Sequence, residues 1–192
     1  MKIGIYGGSF DPIHSAHIQV AQAASLQIGF DRLFFIPAAH SPFKGNQIYA
    51  PDSLRLRWIQ LAISPFPNWE VDPIEIERGG ISYTVETLRQ YSLRWPQASL
   101  YYLIGMDNAP LLIHWYKAEE LAKLACFIII SRPGSPIQPP PPPFNYIIIE
   151  GIKNPISSSQ IRADIASGKH CFNSLPPQAA EEILSSEAYK KI

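Results

Sequence analysis

Short apolar runs alternate with amphipathic segments along this chain, and that order constrains the fold more than any other feature. The segments between the runs carry apolar residues at helical spacing, as Ile18, Ala21 and Ile28 do. The runs themselves are rich in Ile, Leu, Phe and Tyr, which is typical of strands buried on both faces. These runs are 2–7, 32–37, 99–105, 126–131 and 145–150.

The order β-α-β-α predicts a doubly wound, mostly parallel α/β sheet with helices on both faces. The chain has 192 residues, which suits one domain over 1–192, since domains commonly span about 100–200 residues. Ligands of such sheets bind beyond the carboxyl ends of the strands, where the strand order reverses. The segment after the first strand is therefore the first candidate for a site.

Several shorter segments carry weaker patterns. One helix is predicted to begin with Asp52 as N-cap, and another with Thr84 as N-cap. Residues 69–76 alternate but contain a proline, which favours an edge or irregular strand. The Pro-rich loop at 132–144 predicts a stiff polyproline connection between two strands, and a docking segment for a proline-binding module is the alternative.

The composition argues against several classes of protein. Lys+Arg and Asp+Glu both number 16, so the formal net charge is zero and binding to nucleic acid is disfavoured. Cys126 and Cys171 show neither zinc-ligand spacing nor a disulfide framework. The amino terminus lacks a secretory pattern, and no run approaches the roughly 18 apolar residues that span a membrane. We therefore expect a cytoplasmic protein without membrane association, and a homo-oligomer stays open.

The sequence GGSFDPIHSAH follows the first predicted strand and has the features of an anion site. Gly7 and Gly8 allow a ligand to approach the main chain closely, and Asp11-Pro12 stiffens the turn. A helix is predicted to start near Ser15, so unpaired N–H groups and the positive end of the helix dipole face the same space. This arrangement favours phosphate oxygens.

His14 and His17 lie three residues apart and can point to one side of the first helical turn. Two imidazoles at the positive end of a helix dipole make electrostatic sense if a phosphate chain lies between them. A short His-x-x-His pattern alone is more often a pair of hydrogen-bonded structural histidines. A metal site is the weakest interpretation, because two ligands do not complete one and no third is near in sequence.

The segment ISSSQIR at 156–162 is the second constellation. Ser157 and Gln160 fit a capping box, which would explain the serines as the start of a helix. Arg162 lies within the first two turns of that helix, at the unfavourable end of the dipole unless an anion binds there. Ser158 and Ser159 would add donors to the same anion.

Together the two constellations predict a nucleoside triphosphate bound at two helix starts. The chain contains neither the G-x-x-x-x-G-K-[ST] pattern of P-loop proteins nor a G-x-G-x-x-G turn after the first strand. Kinase-type and dehydrogenase-type functions therefore lose their main support.

GGSFDPIHSAH resembles the G-x-F-D-P-x-H-x-G-H signature of the nucleotidylyltransferase superfamily, and ISSSQIR resembles its I-S-S-T-x-I-R partner. SPFKG, GGISYTVETL, YYLIGMDNAPLLIHWYKAEELAKLACFIIISRPG and LPPQAAEEI are similar to bacterial nicotinate-nucleotide adenylyltransferases in order and spacing. The chain departs from the pattern at Ala16 (usually glycine), Ser159 (threonine) and Phe43 (histidine). The resemblance covers nearly the whole chain and implies a Rossmann-like nucleotidylyltransferase fold.

The resemblance also implies a reaction of NAD biosynthesis. The phosphate of nicotinate mononucleotide attacks the α-phosphate of ATP, which gives deamido-NAD and pyrophosphate, with Mg²⁺ on the triphosphate and no side chain as metal ligand. His14, His17 and Arg162 would be the catalytic residues: the histidines at the α-phosphate, and Arg162 with Ser158 and Lys44 at the departing end. The other residues implied in ATP binding are Gly7, Gly8, Ser9, Phe10, Gly105, Asp107, Ile156 and Ser157.

The same resemblance implies a binding place for the acceptor. Trp115 offers a flat face for a pyridine ring, and Thr84 with neighbouring backbone groups would meet the nicotinate end. The other residues implied in contact with the acceptor are Asp11, Lys44, Tyr116 and Arg132. Without the resemblance, Trp115 is more typical of core packing, and Asp107 could equally be the N-cap of a helix at 107–114.

Three other functions compete with this one. The first is adenylyl or cytidylyl transfer to another phosphate acceptor, such as nicotinamide mononucleotide or phosphopantetheine. The second is a nucleotide-binding sensor without catalysis, which the intact His14, His17 and Arg162 disfavour. The third is binding of transfer RNA, which the zero net charge and the lack of an anticodon-binding extension disfavour.

Overall fold

The computed structural model describes residues 1–42, 48–131, 136–150 and 155–190. Within these ranges one sheet is formed by β1 (Lys2–Gly8), β2 (Arg32–Pro37), β3 (Trp69–Val71), β4 (Ser99–Gly105), β5 (Cys126–Ile130) and β6 (Tyr146–Ile149). The spatial order of the strands is β3-β2-β1-β4-β5-β6, and each neighbouring pair is parallel.

Helices follow most of the strands. The α-helices in the described ranges are α1 (Ser15–Ile28), α2 (Asp52–Ile63), α3 (Ile74–Arg78), α4 (Thr84–Arg94), α5 (Ala118–Leu124), α6 (Ser158–Ala166) and α7 (Pro177–Ser185). The 3₁₀ helices there are Met106–His114, Phe172–Ser174 and Glu187–Tyr189. No helix of this part of the chain combines the length and the apolar content that crossing a membrane requires.

Consecutive residues of a central strand bury opposite faces of the sheet. Leu33 and Phe35 of β2 pack with α1, α2, α6 and α7, whereas Phe34 and Ile36 pack with α4 and α5. All four side chains are buried. The core is therefore two apolar layers, one on each side of the sheet, and the predicted doubly wound fold is confirmed.

The strand order reverses beside β1. From β1 the chain moves outward to β2 and β3, and it then returns to place β4 on the other side of β1. The carboxyl ends of β1 and β4 therefore border the crevice in which doubly wound sheets bind ligands. The loop after β1, which carries the predicted anion site, starts at this crevice.

The strand predicted at 69–76 is shorter than expected. Only Trp69–Val71 pairs with β2, at the edge of the sheet, and Ile74–Arg78 is helical. The carboxylate of Asp72 accepts a hydrogen bond from the N–H of Ile74 (3.1 Å). This bond satisfies an N–H group at the helix start, so the chain turns into α3 instead of extending the strand.

Two predicted N-caps are displaced by one residue. α2 begins at Asp52 and α4 begins at Thr84, so each is the first helical residue rather than the cap before it. The carboxylate of Asp52 pairs instead with the guanidinium of Arg55, one turn further along α2.

The described part of the proline-rich loop connects β5 to β6 without helix or strand. Phe144 near its end is buried, and its ring lies edge-on to that of Phe127, with centroids 5.5 Å apart. The loop is therefore attached to the core on one side. Residues 132–135, including Arg132, lie outside the described residues.

Candidate active site

Two adjoining cavities open at the ends of β1 and β4. One, about 330 Å³ in volume, is lined by His14, His17 and Arg162 and is called the histidine cavity below. The other, about 450 Å³, is lined by Thr84 and Trp115 and is called the tryptophan cavity. The residues that line both are Tyr6, Ser9, Ile104 and Gly105. The two cavities are therefore neighbours at the switch point of the sheet.

Most of the predicted site residues lie at these cavities. The predicted residues that line the histidine cavity are Ser9, Asp11, His14, His17, Gly105, Ile156, Ser157, Ser158 and Arg162. Those that line the tryptophan cavity are Gly7, Gly8, Ser9, Thr84, Gly105, Trp115 and Tyr116. Ala16, which replaces the glycine of the signature, also lines the histidine cavity. Phe43 and Lys44 lie outside the described residues, as Arg132 does.

Two predicted ATP-binding side chains line neither cavity. The ring of Phe10 is buried and lies edge-on to His17, with centroids 4.9 Å apart, so the ring supports the histidine. Contact of the Phe10 main chain with ATP stays a prediction. Asp107 is exposed in the 3₁₀ helix Met106–His114, where Gly105 rather than Asp107 takes the N-cap position. The N-cap interpretation of Asp107 is therefore wrong, and its contact with a ribose stays a prediction.

The two histidines lie together at the start of α1. Their rings stack with centroids 3.6 Å apart and an angle of 21° between the planes. His14 is the N-cap residue, and its backbone N–H donates to Nδ1 of His17 (3.1 Å). Because Nδ1 accepts this bond, Nε2 of a neutral His17 ring carries the proton and is a donor. The backbone thus fixes both the orientation and the tautomer of His17.

The start of α6 confirms half of the predicted capping box. Ser157 is the N-cap, and its Oγ accepts a hydrogen bond from the N–H of Gln160 (3.2 Å). The Gln160 side chain does not return to the cap, because its Nε2 donates to Asp164 (2.9 Å). The start of α6 is therefore capped by the side chain of Ser157.

Arg162 joins the two predicted constellations. Its Nη1 donates to the main-chain oxygen of Asp11 (2.7 Å), and its Nη2 donates to Oγ of Ser159 (3.2 Å). Ser158 Oγ donates to the main-chain oxygen of Pro12 (3.0 Å). The prediction that the early and late segments meet at one cavity is confirmed. Binding of a polyphosphate between them remains a prediction.

The Asp11 carboxylate is bound within the chain. It accepts hydrogen bonds from the N–H groups of Tyr49 (2.9 Å) and Ala50 (3.1 Å) and from the hydroxyl of Tyr189 (2.6 Å). Asp11 is 2% exposed. The carboxylate therefore holds the loop after β1 in place, and contact of Asp11 with the acceptor stays a prediction.

Arg55 is a supporting residue that the sequence analysis missed. Its side chain is fully buried, and its guanidinium donates to the main-chain oxygens of Ser9 (2.7 Å) and Ala38 (2.9 Å). The cation therefore ties the loop after β1 to the loop after β2. A signal was present, because Arg55 precedes Trp58 and Ile59 by three and four residues on the buried face of α2.

The side chain of Tyr102 leaves no space for a Cβ atom at Gly7. A Cβ at Gly7 would lie 2.2 Å from the hydroxyl oxygen of Tyr102, whereas a Cβ at Gly105 would meet nothing within 4 Å. We predict that Gly7→Ala lowers the free energy of unfolding by about 1–3 kcal/mol and that Gly105→Ala changes it by less than about 0.5 kcal/mol. Urea denaturation measures both, and equal effects would contradict this account of Gly7.

Aromatic side chains and a helix start form the tryptophan cavity. The rings of Tyr102 and Trp115 lie edge-on with centroids 6.5 Å apart, and the ring of Tyr116 packs on Tyr83 at 4.5 Å. Thr84 begins α4, so the positive end of this helix dipole faces the cavity. The tryptophan cavity therefore offers flat aromatic rings beside the amino end of α4, which favours a negative charge.

Glu75 is a second residue that the sequence analysis missed. It lines the tryptophan cavity, is 3% exposed, and accepts a hydrogen bond from the hydroxyl of Thr87 (2.6 Å). Burial raises the pKa of Glu75, while the hydroxyl groups of Thr87 and Ser82 and the charge of Arg78 act in the opposite direction. The carboxyl group connects α3 to α4 beneath the cavity.

Both a family model and named relatives match this chain. Residues 5–164 match a family model described as cytidylyltransferase-like. A probable nicotinate-nucleotide adenylyltransferase of Opitutus terrae is 41% identical over 138 residues, 72% of this chain and 71% of that protein. The nicotinate-nucleotide adenylyltransferase of Bacillus subtilis is 33% identical over 189 residues, 98% of each chain. This chain belongs to the nicotinate-nucleotide adenylyltransferase family. The resemblance in the motifs is thereby confirmed.

Solved structures agree with this family's fold. The Plasmodium falciparum nicotinic acid mononucleotide adenylyltransferase complexed with NaAD has a TM-score of 0.78 and 22% identity, covering 95% of this chain and 94% of that one. A structure of the same enzyme complexed with APC has a TM-score of 0.75 and 21% identity over the same shares. The match confirms the Rossmann-like nucleotidylyltransferase architecture.

Proposed function

We propose that this chain transfers the adenylyl group of ATP to nicotinate mononucleotide and releases deamido-NAD and pyrophosphate. The observation that carries the proposal is the pair of adjoining cavities at the ends of β1 and β4. One offers imidazole, hydroxyl and guanidinium donors, and the other offers aromatic faces. Nucleotidyl transfer needs little covalent help from a protein but requires two phosphates aligned for attack. Membership of the family supports this acceptor.

ATP would place its triphosphate in the histidine cavity. An oxygen of the acceptor phosphate bonds to the α-phosphorus as the bond from that phosphorus to the bridging oxygen of pyrophosphate breaks. His14 and His17, at the positive end of α1, would bind the α-phosphate, where charge increases in the transition state. Arg162 and Ser158, at the start of α6, would bind the departing pyrophosphate, with Lys44 approaching the same end.

Nicotinate mononucleotide would bind in the tryptophan cavity. Its pyridine ring would lie on the face of Trp115, with Tyr116 beside it. Its carboxylate would lie near Thr84, since the amino end of α4 favours a negative charge over a neutral amide. Arg132 would approach the phosphate of the acceptor.

Magnesium would enter with ATP. In the described ranges, no group of three or more His, Cys, Asp or Glu side chains could hold a metal ion. Mg²⁺ commonly keeps several waters and binds substrate phosphates, where it neutralises charge on the leaving group. We expect activity to disappear with excess chelator and to return with added Mg²⁺, as measured by pyrophosphate release.

We also propose a cytoplasmic location, because ATP and pyridine mononucleotides are available in the cytoplasm. The zero formal net charge supports small, locally held anions rather than nucleic acid as partners.

The direct test is a comparison of acceptors. Pyrophosphate release from ATP is measured with nicotinate mononucleotide, nicotinamide mononucleotide and phosphopantetheine, each at several concentrations. We expect nicotinate mononucleotide to have the highest kcat/KM. A higher value for phosphopantetheine or the amide would refute the acceptor assignment, and no release with any acceptor would favour the non-catalytic sensor.

Trp115→Ala is expected to raise KM for nicotinate mononucleotide on the order of 10-fold, because stacking on an aromatic side chain contributes about 1–3 kcal/mol. KM for ATP should stay within about two-fold, since Trp115 lines the tryptophan cavity and not the histidine cavity. Trp115→Phe keeps a flat face and should recover most of the affinity. An equal rise of both KM values in Trp115→Ala would contradict the stacking role.

A further inference from the structure

The last described turn of the chain returns to the loop after β1. Tyr189 has 0% exposure, and its ring packs on Trp58 of α2 with centroids 5.7 Å apart. Its hydroxyl donates to Oδ1 of Asp11 (2.6 Å), a residue 178 positions earlier in the sequence. Burial and the neighbouring carboxylate raise the pKa of Tyr189, so the hydroxyl keeps its proton. This bond connects the carboxyl-terminal turn to the predicted phosphate site.

Asp11 is linked to Arg162 in two ways. Its main-chain oxygen accepts a hydrogen bond from Nη1 of Arg162 (2.7 Å). Its carboxylate accepts the N–H of Tyr49 (2.9 Å), and the ring of Tyr49 lies 4.4 Å below the guanidinium of Arg162. The hydrogen bond and the ring that orient Arg162 therefore both depend on where Asp11 lies.

We infer that Tyr189 is a positioning residue for Arg162, acting through Asp11, and this rests on the proposed binding of the triphosphate by Arg162. Without the hydroxyl, the buried carboxylate keeps the N–H groups of Tyr49 and Ala50 and must shift toward them. Such a shift moves the main-chain oxygen of Asp11 and the ring of Tyr49, which together orient the guanidinium of Arg162. A displacement of about 1 Å in a binding group can lower a rate by roughly 100-fold.

Tyr189→Phe tests the inference, and Tyr91→Phe is its matched control. Tyr91 also has 0% exposure, and its hydroxyl also donates to a carboxylate, that of Asp72 (2.7 Å), but on the opposite face of the sheet. Both variants should lose unfolding free energy to a similar extent, because each removes one hydroxyl from one buried aspartate. This pair separates loss of stability from loss of positioning.

Two readouts on the ATP side distinguish the variants. We expect Tyr189→Phe to weaken the binding of a non-hydrolysable ATP analogue by about 10-fold and to lower kcat/KM for ATP by a similar factor. Tyr91→Phe should change neither by more than about two-fold. Unchanged analogue affinity in Tyr189→Phe, or equal losses in both variants, would overturn the inference.

A double-mutant cycle tests whether the effect passes through Arg162. In an Arg162→Ala background, Tyr189→Phe should change analogue affinity by less than about two-fold, because the group that it positions is gone. A 10-fold loss in both backgrounds would show that Tyr189 acts elsewhere and would overturn the inference. Since the analogue binds without an acceptor, a wrong acceptor assignment would not alter this result.

A second variant covers the case in which Tyr189→Phe does not fold. Asp11→Asn keeps the size of the side chain and removes the negative charge of the carboxylate. The Tyr189 hydroxyl and the Tyr49 N–H both donate to that carboxylate. We expect it to weaken analogue binding by about 10-fold with Arg162 present and by less than about two-fold without it. Equal losses in the two backgrounds would contradict the proposed link.

Discussion

His17→Ala is expected to lose at least about 100-fold in kcat while the chain keeps its fold. The substitution removes the Nε2–H donor at the start of α1, where charge on the α-phosphate would increase in the transition state. It also removes the acceptor of the His14 backbone N–H, but His14 still occupies the N-cap. Steady-state kinetics with saturating substrates measures the loss, and a thermal melt checks the fold.

Two further variants test the tautomer assigned to His17. His17→Gln can place an N–H donor near the position of Nε2 and should recover part of the turnover, whereas His17→Asn should not. His170→Ala is the matched control, because His170 is an exposed histidine that lines neither cavity. Turnover near that of the parent chain in His17→Ala would remove this histidine from the mechanism.

Arg162→Ala is expected to lower kcat/KM for ATP by at least about 100-fold. The guanidinium is held by the main-chain oxygen of Asp11 and the hydroxyl of Ser159, so it is already oriented before ATP binds. A preoriented donor stabilises a leaving group without reorganisation during the reaction. Analogue titration and initial-rate kinetics measure the loss of binding and of turnover separately.

Arg162→Lys should not restore activity, because an ammonium group cannot make the planar, forked contacts that a guanidinium makes. Arg57→Ala is the control: Arg57 is an exposed arginine whose contact with Glu182 lies at 3.4 Å on the surface. It should keep kcat/KM within about two-fold. A lysine variant with parent activity would show that Arg162 contributes only a charge.

The parts of the site that could be predicted from sequence are those coded by neighbouring residues. The glycine turn, the two histidines and the serines before Arg162 occur within short segments, and the alternation of elements places both segments at the same end of the sheet. The physical reasons are local: helix starts have unpaired N–H groups, and parallel strands end together.

The contacts that support the site join residues far apart in the chain, and periodicity does not reveal them. Asp11 was predicted to contact the acceptor because it lies in the motif, yet its carboxylate is bound by Tyr49, Ala50 and Tyr189. Helical spacing places Arg55 on the buried face of α2, but its hydrogen bonds to the loops at Ser9 and Ala38 follow from tertiary packing. Sequence patterns therefore predicted the position of the cavities better than the roles of the buried residues that support them.

The edge strand predicted at 69–76 is confirmed for Trp69–Val71 but ends there, for a local reason. Alternation continued through Ile74, but the carboxylate of Asp72 accepts the N–H of Ile74 and starts a helix there. A side-chain hydrogen bond of this kind competes with strand extension. The early end of the strand has a bearing on the site, since α3 carries Glu75 to the tryptophan cavity.

A crystal structure with a non-hydrolysable ATP analogue tests the central claim most directly. We predict a triphosphate in the histidine cavity, with the imidazole of His17 and the guanidinium of Arg162 both within hydrogen-bond distance of its oxygens, at opposite ends of the chain of phosphates. A nucleotide whose phosphates contact only one of these two side chains, or that occupies the tryptophan cavity instead, would contradict the account.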